Sequence, residues 1–191
     1  PVPAPAPAAV SAKTKKHHRS TGPSPQALGL AADPADGKSQ AAALGNLGMA
    51  VYYPRLIASD SEYCMDETAN CYEAPNPSSV YVGSYPRAYT LHDQAGQPQV
   101  AYRMTLVVNA ALGEYYGVQG TTWRDPPILT NPAQIRTVHH KRLLIFLNGH
   151  HITLIGWRTA HAAYWISNTL VDSLSNAAMV DIAGSLTRAA P

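Results

Sequence analysis

The chain has 191 residues, 46% of them hydrophobic and only 14% charged; it can bury one core, and its charge content falls well short of the quarter usual in a globular chain. The net charge of +2 is uneven, because Lys13, Lys15, Lys16, Arg19 and Lys38 against Asp33 and Asp36 put +3 into residues 1–40 and leave −1 for the rest. A near-neutral body lacks the clustered cations needed to neutralise several phosphates, so nucleic acid is not an expected partner.

No run of about 18 apolar residues occurs, so no transmembrane segment is expected, and the opening PVPAPAPAAV has neither an initiator Met nor a signal-peptide apolar segment. The chain reads as a mature product or a fragment. Residues 1–46, rich in Ala, Pro, Gly, Ser and Lys with almost no large apolar side chain, cannot offset the entropy of ordering and are expected to form a disordered linker. Its Pro-Ala alternation favours extended polyproline II. The run KTKKHHR within it is either a solvated linker or a contact for an anionic polymer or headgroup.

Residues 47–189 are expected to form a single α+β domain. Order is expected from LGMAVYYPRLIA, where Met49, Val51 and Tyr53 alternate before Pro54 interrupts, as in a first or edge strand. Cys64 and Cys71, the two cysteines, lie in the acidic loop YCMDETANCY. So local a pair reads as a disulfide in an oxidising compartment, against two reduced thiols or a zinc site lacking its second CxxC. Asp60, Glu62, Asp66, Glu67 and Glu73 read as a solvated surface, without EF-hand spacing.

Three strand segments follow: SYPRAYTLHD, PQVAYRMTLVV and EYYGVQGTTW. In the second, Tyr102, Met104, Leu106 and Val108 alternate with Ala101, Arg103, Thr105 and Val107, a period-two pattern expected of a half-buried antiparallel strand with one polar-leaning face. After the proline-rich loop RDPPILTNPAQ, Asn148-Gly149 between RLLIFL and HHITLIGW predicts a type I′ hairpin with 142–147 paired to 150–155. AAYWIS adds a strand. LSNAAMVDIAGSL spaces Met179, Ile182, Ala183 and Leu186 at three and four, with Ser175 or Asn176 as N-cap, and predicts a C-terminal amphipathic helix.

The histidine pairs 139–140 and 150–151 raise the question of a metal. With the turn at 148–149, His150 faces Leu147, His151 faces Phe146, and His140 lies across from Trp157. The pairs then sit at opposite ends of the hairpin, about 26 Å separating His139 from the turn, and adjacent strand histidines point to opposite faces. No metal site is expected. No GxSxG, CxxC, HExxH, P-loop or GxGxxG pattern occurs, so no catalytic residue is assigned, no cofactor is expected, and the chain alone is read as non-enzymatic. The candidate binding segment is GEYYGVQGTTWRDPPIL, where Tyr115, Tyr116 and Trp123 offer stacking faces and Arg124 a planar cationic fork. The same rings at core positions of a glycine-kinked strand are the competing reading.

The segments EYYGVQGTTWRDPPIL, RTVHHKRLLIF, LIGWRT, AYWISNTL and LSNAAMVDIAGSL, in this order within about residues 49–187, resemble the C-terminal extracytoplasmic region that follows the catalytic domain in some actinobacterial LytR-CpsA-Psr (LCP) proteins. Those proteins join lipid-pyrophosphate-linked glycopolymers to peptidoglycan. Their enzymatic domain, with its Arg and Asp cluster, has no counterpart here, so the resemblance carries over no catalytic residue; a Pro-Ala tether leads straight into the appended region instead. The resemblance implies an accessory module of the cell envelope, extracytoplasmic, whose partner is a cell-wall glycopolymer, a lipid-linked intermediate or another envelope protein. The end of the chain is also similar to small secreted domains with a curved sheet and a final helix, some related to lipoprotein carriers. The expected fold is α+β: a curved antiparallel sheet of six to seven strands closed by the C-terminal helix, behind the disordered arm.

Overall fold

The alternation read at 101–108 lies in the longest strand of an open antiparallel sheet. The computed structural model describes residues 22–64 and 86–189, and within them the chain forms two helices, α1 (Pro34–Ala43) and α2 (Asn176–Ser185). Two small ladders pair β1 (Leu30–Ala32) with β3 (Leu56–Ala58) and β2 (Tyr52–Tyr53) with β12 (Thr187–Arg188). The main sheet has eight strands, one more than the expected upper count: β4 (Glu62–Tyr63), β5 (Arg87–His92), β6 (Pro98–Asn109), β7 (Glu114–Thr121), β8 (Gln134–Val138), β9 (Lys141–Asn148), β10 (His151–Arg158) and β11 (Ala163–Ser167). Their spatial order is β4-β6-β7-β11-β10-β9-β8, with β5 continuing the β4 edge along β6.

One face of this sheet carries the main core. Tyr102, Met104, Leu106, Ile145, Ile155 and Ile166 are fully buried there with Met179 and Ile182 of α2. Ser175 caps α2 as expected, its hydroxyl accepting from Ala178 N at 3.2 Å. At the other end of α2 the exposed carbonyls that every helix leaves unpaired meet cations: Arg55 Nε donates to Ser185 O at 3.3 Å, and Lys141 Nζ donates to Leu186 O. The opposite face carries a smaller cluster of Leu144, Leu154, Ala163 and Trp165, covered by Leu129 from a 3-10 turn at Pro127–Leu129 in the β7–β8 connection. Strand β6 is therefore buried on both faces from Ala101 to Val107, apart from a half-buried Arg103, and the half-buried strand expected there is corrected. The reason is position: β6 is flanked on both edges and the second face is partly covered.

The linker boundary expected at 46 also moves. Residues 30–32 and 34–43 are ordered as β1 and α1, and Leu30, Ala41 and Leu44 join the main core. Asp33 starts α1, its carboxylate accepting from Asp36 N at 3.2 Å, with Pro34 at the first helical position. Small side chains hide such a helix from an apolar-periodicity reading.

The β9–β10 hairpin forms with a different register. His151 pairs with Asn148 and Ile152 with Leu147, so the two loop residues are Gly149 and His150, and His140 is not across from Trp157. Positive φ falls on Gly149 (59°) and not on His150, the glycine slot of a type II′ turn. The first residue of α2 holds this turn: Asn176 Nδ2 donates to His150 O and Asn176 Oδ1 accepts from Ile152 N, both at 2.7 Å. A bulge follows at Thr153, after which Leu154 pairs with Phe146. It lets Ile152 and Ile155, three residues apart, enter the same core. His139 and His140 instead form the two-residue loop between β8 and β9, both at positive φ (46° and 65°). The histidine pairs still lie at opposite ends of β9. Cys64 is buried, with its N–H donated to Thr105 O at 2.9 Å; Cys71 lies outside the described residues.

Candidate functional site

The fold brings together residues from four distant parts of the chain at one end of β10 and β11. The C-terminal end of α1, residues 45–52, the Thr159–Ala162 turn and the end of β12 enclose an open cleft of about 860 Å³. Half-buried Tyr52 and buried Tyr164 line one side, backed by Trp157. Trp157 and Tyr164, cross-strand partners, stack with centroids 5.2 Å apart at 14°, and Tyr52 meets both edge-on at 5.7 Å and 4.9 Å. The Tyr164 hydroxyl donates to Ala50 O at 3.0 Å, and the Tyr102 hydroxyl accepts from Tyr52 N at 2.9 Å. Burial pushes the Tyr164 hydroxyl up to about 12 and raises that of Tyr102 far above its ordinary value, so both are neutral donors at physiological pH.

Gly120 makes this packing possible. A Cβ there would meet Cδ1 of Tyr164 at 2.6 Å and would also strike Cε1 of Tyr102. Around the cleft stand Arg188 and His161, both exposed, and the lining holds no carboxylate. A tyrosine ring and an exposed guanidinium in a lining without carboxylates suit a neutral polar or anionic ligand.

The residues singled out in the sequence lie elsewhere and apart. Tyr116 is a core strut: buried, it points into the main core, its hydroxyl pushed up to about 12 by burial and accepting from Ala58 N at 3.0 Å. Tyr115, its neighbour, lies at the opposite end of β7 from Trp123, eight residues away or about 26 Å in extended chain. Trp123 is half-buried, with its N–H on Thr121 Oγ1 at 3.2 Å. Arg124 is exposed; its carbonyl accepts from Arg158 Nε at 3.0 Å, and the same Nε ion-pairs Asp125 at 3.2 Å. The four therefore do not form one surface: Tyr116 is in the core, and Tyr115 stands apart from Trp123 and Arg124. Among the described residues no group of three His, Cys, Asp or Glu converges as metal ligands would.

Sequence reading missed Tyr52, His161 and Arg188 because they converge only through the ladders that bring β2 to β12 and β10 to β11. At the far end of the sheet, three large apolar side chains stand in solvent on two adjacent loops. Leu112 is 72% exposed in the β6–β7 turn, and Leu170 and Val171 are 91% and 66% exposed after β11. No helix among the described residues is long and apolar enough to cross a membrane.

The class this architecture defines is an α+β protein built on an open antiparallel sheet with two helices. No family model, curated protein or solved structure matches the chain.

Proposed function

We propose that this chain is a non-enzymatic, extracytoplasmic accessory module of the cell envelope that binds or positions a cell-wall glycan or a lipid-linked precursor. The observation that carries this reading is the cleft of about 860 Å³ with its half-buried Tyr52 backed by the buried Tyr164 ring, its exposed Arg188 and its carboxylate-free lining, in which Tyr52 offers an apolar ring to a sugar and Arg188 a fork to an anionic substituent. The resemblance of the segments within 114–186 to the appended region of LCP glycopolymer ligases supports the same compartment and ligand class. In this reading the sheet curves around the core and α2 is amphipathic, laying Met179 and Ile182 inward.

The test is retention of the intact chain on purified cell-wall glycopolymer. Arg188→Ala and His161→Ala change exposed side chains and should leave the fold intact while weakening retention about 5-fold or more, the cost of a lost charge-assisted contact. Trp123→Ala and Arg124→Ala test the segment chosen from sequence. Retention unchanged in all four folded variants would refute a glycan site in either place.

A second reading, docking on another envelope protein, is favoured by Leu112, Leu170 and Val171 standing together at one end of the sheet. Loss of a cross-linked partner on Leu112→Asn with Leu170→Asn, glycan retention being unchanged, would select it. A carrier of free lipid is disfavoured by the openness of the cleft to solvent and its polar rim.

A further inference from the structure

Strand β8 ends the main sheet with its outer edge bare: it pairs with β9, and no other described element bonds its backbone. The loop His139-His140, both residues at positive φ, has the shape of a type I′ turn, so Val138 and Lys141 exchange both bonds of the closing pair. By the alternation of an antiparallel ladder Gln134, Arg136 and Val138 then bond β9, and the N–H and C=O groups of Ile135 and Thr137 point outward to solvent. Native edges are commonly blunted by a proline, a lysine or a bulge. Residues 134–138 hold no proline and no lysine, their register with β9 runs without a shift, and Gln134 to Thr137 are all exposed. Ile135, 50% exposed, pairs with Leu144 and carries the second-face cluster out to the rim. Arg136, exposed, lies on the other face and donates from Nη2 to Gln134 Oε1 at 2.9 Å, a neutral partner that orients the guanidinium without cancelling its charge. From Pro126 to Val171, a stretch that contains β8, β9, β10 and β11, there is no Asp or Glu. Of its cations Arg136, Lys141, Arg142 and Arg158, the last has an ion pair among the described residues, with Asp125.

We propose that the outer edge of β8 takes an extended segment of a partner protein as an additional strand, one whose side chains alternate acidic and apolar; this is separate from the cleft and independent of the reading given for it. The outward N–H and C=O groups of Ile135 and Thr137 supply the main-chain pairing, which is the source of affinity when a peptide adds to a sheet edge, and the alternate side chains supply the selection. On one face the added strand lies against Gln134 and Arg136, where a carboxylate meets the guanidinium; on the other it lies against Ile135 and Thr137, where an apolar side chain extends the cluster that Ile135 continues. The carboxylate-free half of the sheet behind this edge favours an acidic partner as it approaches. A second copy of this chain is the wrong occupant, because the two-fold register that pairs the whole of β8 with itself sets Arg136 directly opposite Arg136, and like charges so placed destabilise a sheet.

The experiment adds the capped peptide Val-Glu-Val-Glu-Val-Glu-Val, and separately its Val-Lys counterpart, to the whole chain and follows the backbone amide resonances and their hydrogen exchange. The acidic peptide should give saturable shifts centred on β8, and exchange at the Ile135 and Thr137 amides, fast in the free chain, should slow in proportion to occupancy; the lysine peptide should not bind. Arg136→Glu should weaken the acidic peptide about 5-fold or more and admit the lysine peptide. Ile135→Pro removes an outward N–H and no bond to β9, and should weaken binding about 3-fold or more, while Lys38→Gln, an exposed site on α1, leaves it unchanged. Thermal unfolding confirms that each variant is folded, and should Ile135→Pro fail to fold, exchange at the two amides of the parent decides. Slow exchange at Ile135 and Thr137 in the free chain would overturn the proposal, because the edge would then already be covered by the chain itself or by a second copy. So would shifts that leave these two amides unprotected, or equal binding of the two peptides. Retention on glycopolymer enters none of these readouts, so the cleft reading stands or falls separately.

Discussion

The hydroxyl of Tyr116 stands 2.7 Å from Oγ of Ser61 while accepting the backbone N–H of Ala58 at 3.0 Å, so a side chain on β7 secures β3 and the turn after it from across the core. Tyr116→Phe strips the buried Ala58 N–H of its partner and is expected to cost about 1–3 kcal/mol. Denaturant unfolding should show the midpoint falling with the slope unchanged. Stability equal to the parent would mean that water or Ser61 replaces the bond, and would reopen a role for this ring in binding.

Asn168 holds the loop that presents Leu170 and Val171. Its Nδ2 donates to Ile152 O at 2.8 Å and Leu174 O at 3.0 Å, while its Oδ1 accepts from Thr169 N at 2.8 Å and Leu174 N at 3.1 Å. Asn168→Ala leaves several buried backbone groups unpaired and should destabilise by about 2–4 kcal/mol, whereas Leu170→Asn, at a fully solvated tip, should change stability by less than about 0.5 kcal/mol. Amide exchange at Leu174 should quicken in the first variant and not in the second.

The elements legible in the sequence are those whose chemistry is local. Strands β6, β7 and β11 announce themselves by alternation or β-branched and aromatic runs, and α2 by Ser175 and the spacing of Met179, Ile182 and Ala183. Helix α1 was hidden because its contact face is Gly37, Gln40 and Ala41 rather than large apolar residues. Strand β8 was hidden because, as an edge, it leaves Gln134 to Thr137 exposed. In the β9–β10 hairpin the Asn-Gly preference lost to tertiary bonds from Asn176, which lies 26 residues from His150. The four residues of the candidate segment are dispersed for a related reason. Residues 115 to 124 are consecutive, and consecutive residues in a strand are spread along its length and alternate between faces, so Tyr116 went to the core and Tyr115 away from Trp123. Arg103 was visible on the polar-leaning face of its strand; that Arg87 faces it was not, because register is a property of the pairing.

Cys64 is buried and no free cysteine occurs among the described residues. With Cys71 the only other cysteine in the chain, a Cys64–Cys71 bond is expected, contributing about 2–3 kcal/mol by shortening the unfolded ensemble. Intact mass under non-reducing conditions should show a two-proton deficit, abolished by reductant. Two alkylatable thiols in protein taken from its native compartment would refute the bond and the oxidising compartment inferred from it.

Asp93 closes the β5–β6 turn: its Oδ1 accepts from Ala95 N and Gln97 N, and its Oδ2 from Gln99 Nε2, all at 2.9 Å. The Gln97 N–H first, then the Gln99 amide and the Ala95 N–H, hold the carboxyl below its ordinary value. A folded value below the unfolded one means the contribution is present above the unfolded value of about 3.9 and is lost as pH falls through the lower folded value. Asp93→Ala should therefore be less stable than the parent at neutral pH, and the difference should shrink towards zero in acid. A difference constant down to the lowest pH would show that the turn does not depend on the ionised carboxylate.

Gly120 joins the sheet to the cleft. Its missing side chain leaves room for the Tyr164 and Tyr102 rings, and Tyr164 in turn stacks on Trp157 and donates to Ala50 O, the backbone that forms the cleft floor. Gly120→Ala cannot be relieved by a surface movement, because Tyr102 is fully buried and hydrogen-bonded to Tyr52 and a Cβ would lie 2.6 Å from the Tyr164 ring. Overpacking of this kind costs about 1–3 kcal/mol and shifts the rings it strikes. The variant should unfold earlier, and because Trp157 and Tyr164 share a stack, near-ultraviolet dichroism and tryptophan emission should change in the folded state. Retention on glycopolymer should fall in that folded state if the Tyr52 and Tyr164 side of the cleft binds the ligand. An unfolding midpoint and an aromatic spectrum both equal to the parent's would mean that the rings do not sit against β7, and the cleft built on them would have to be abandoned.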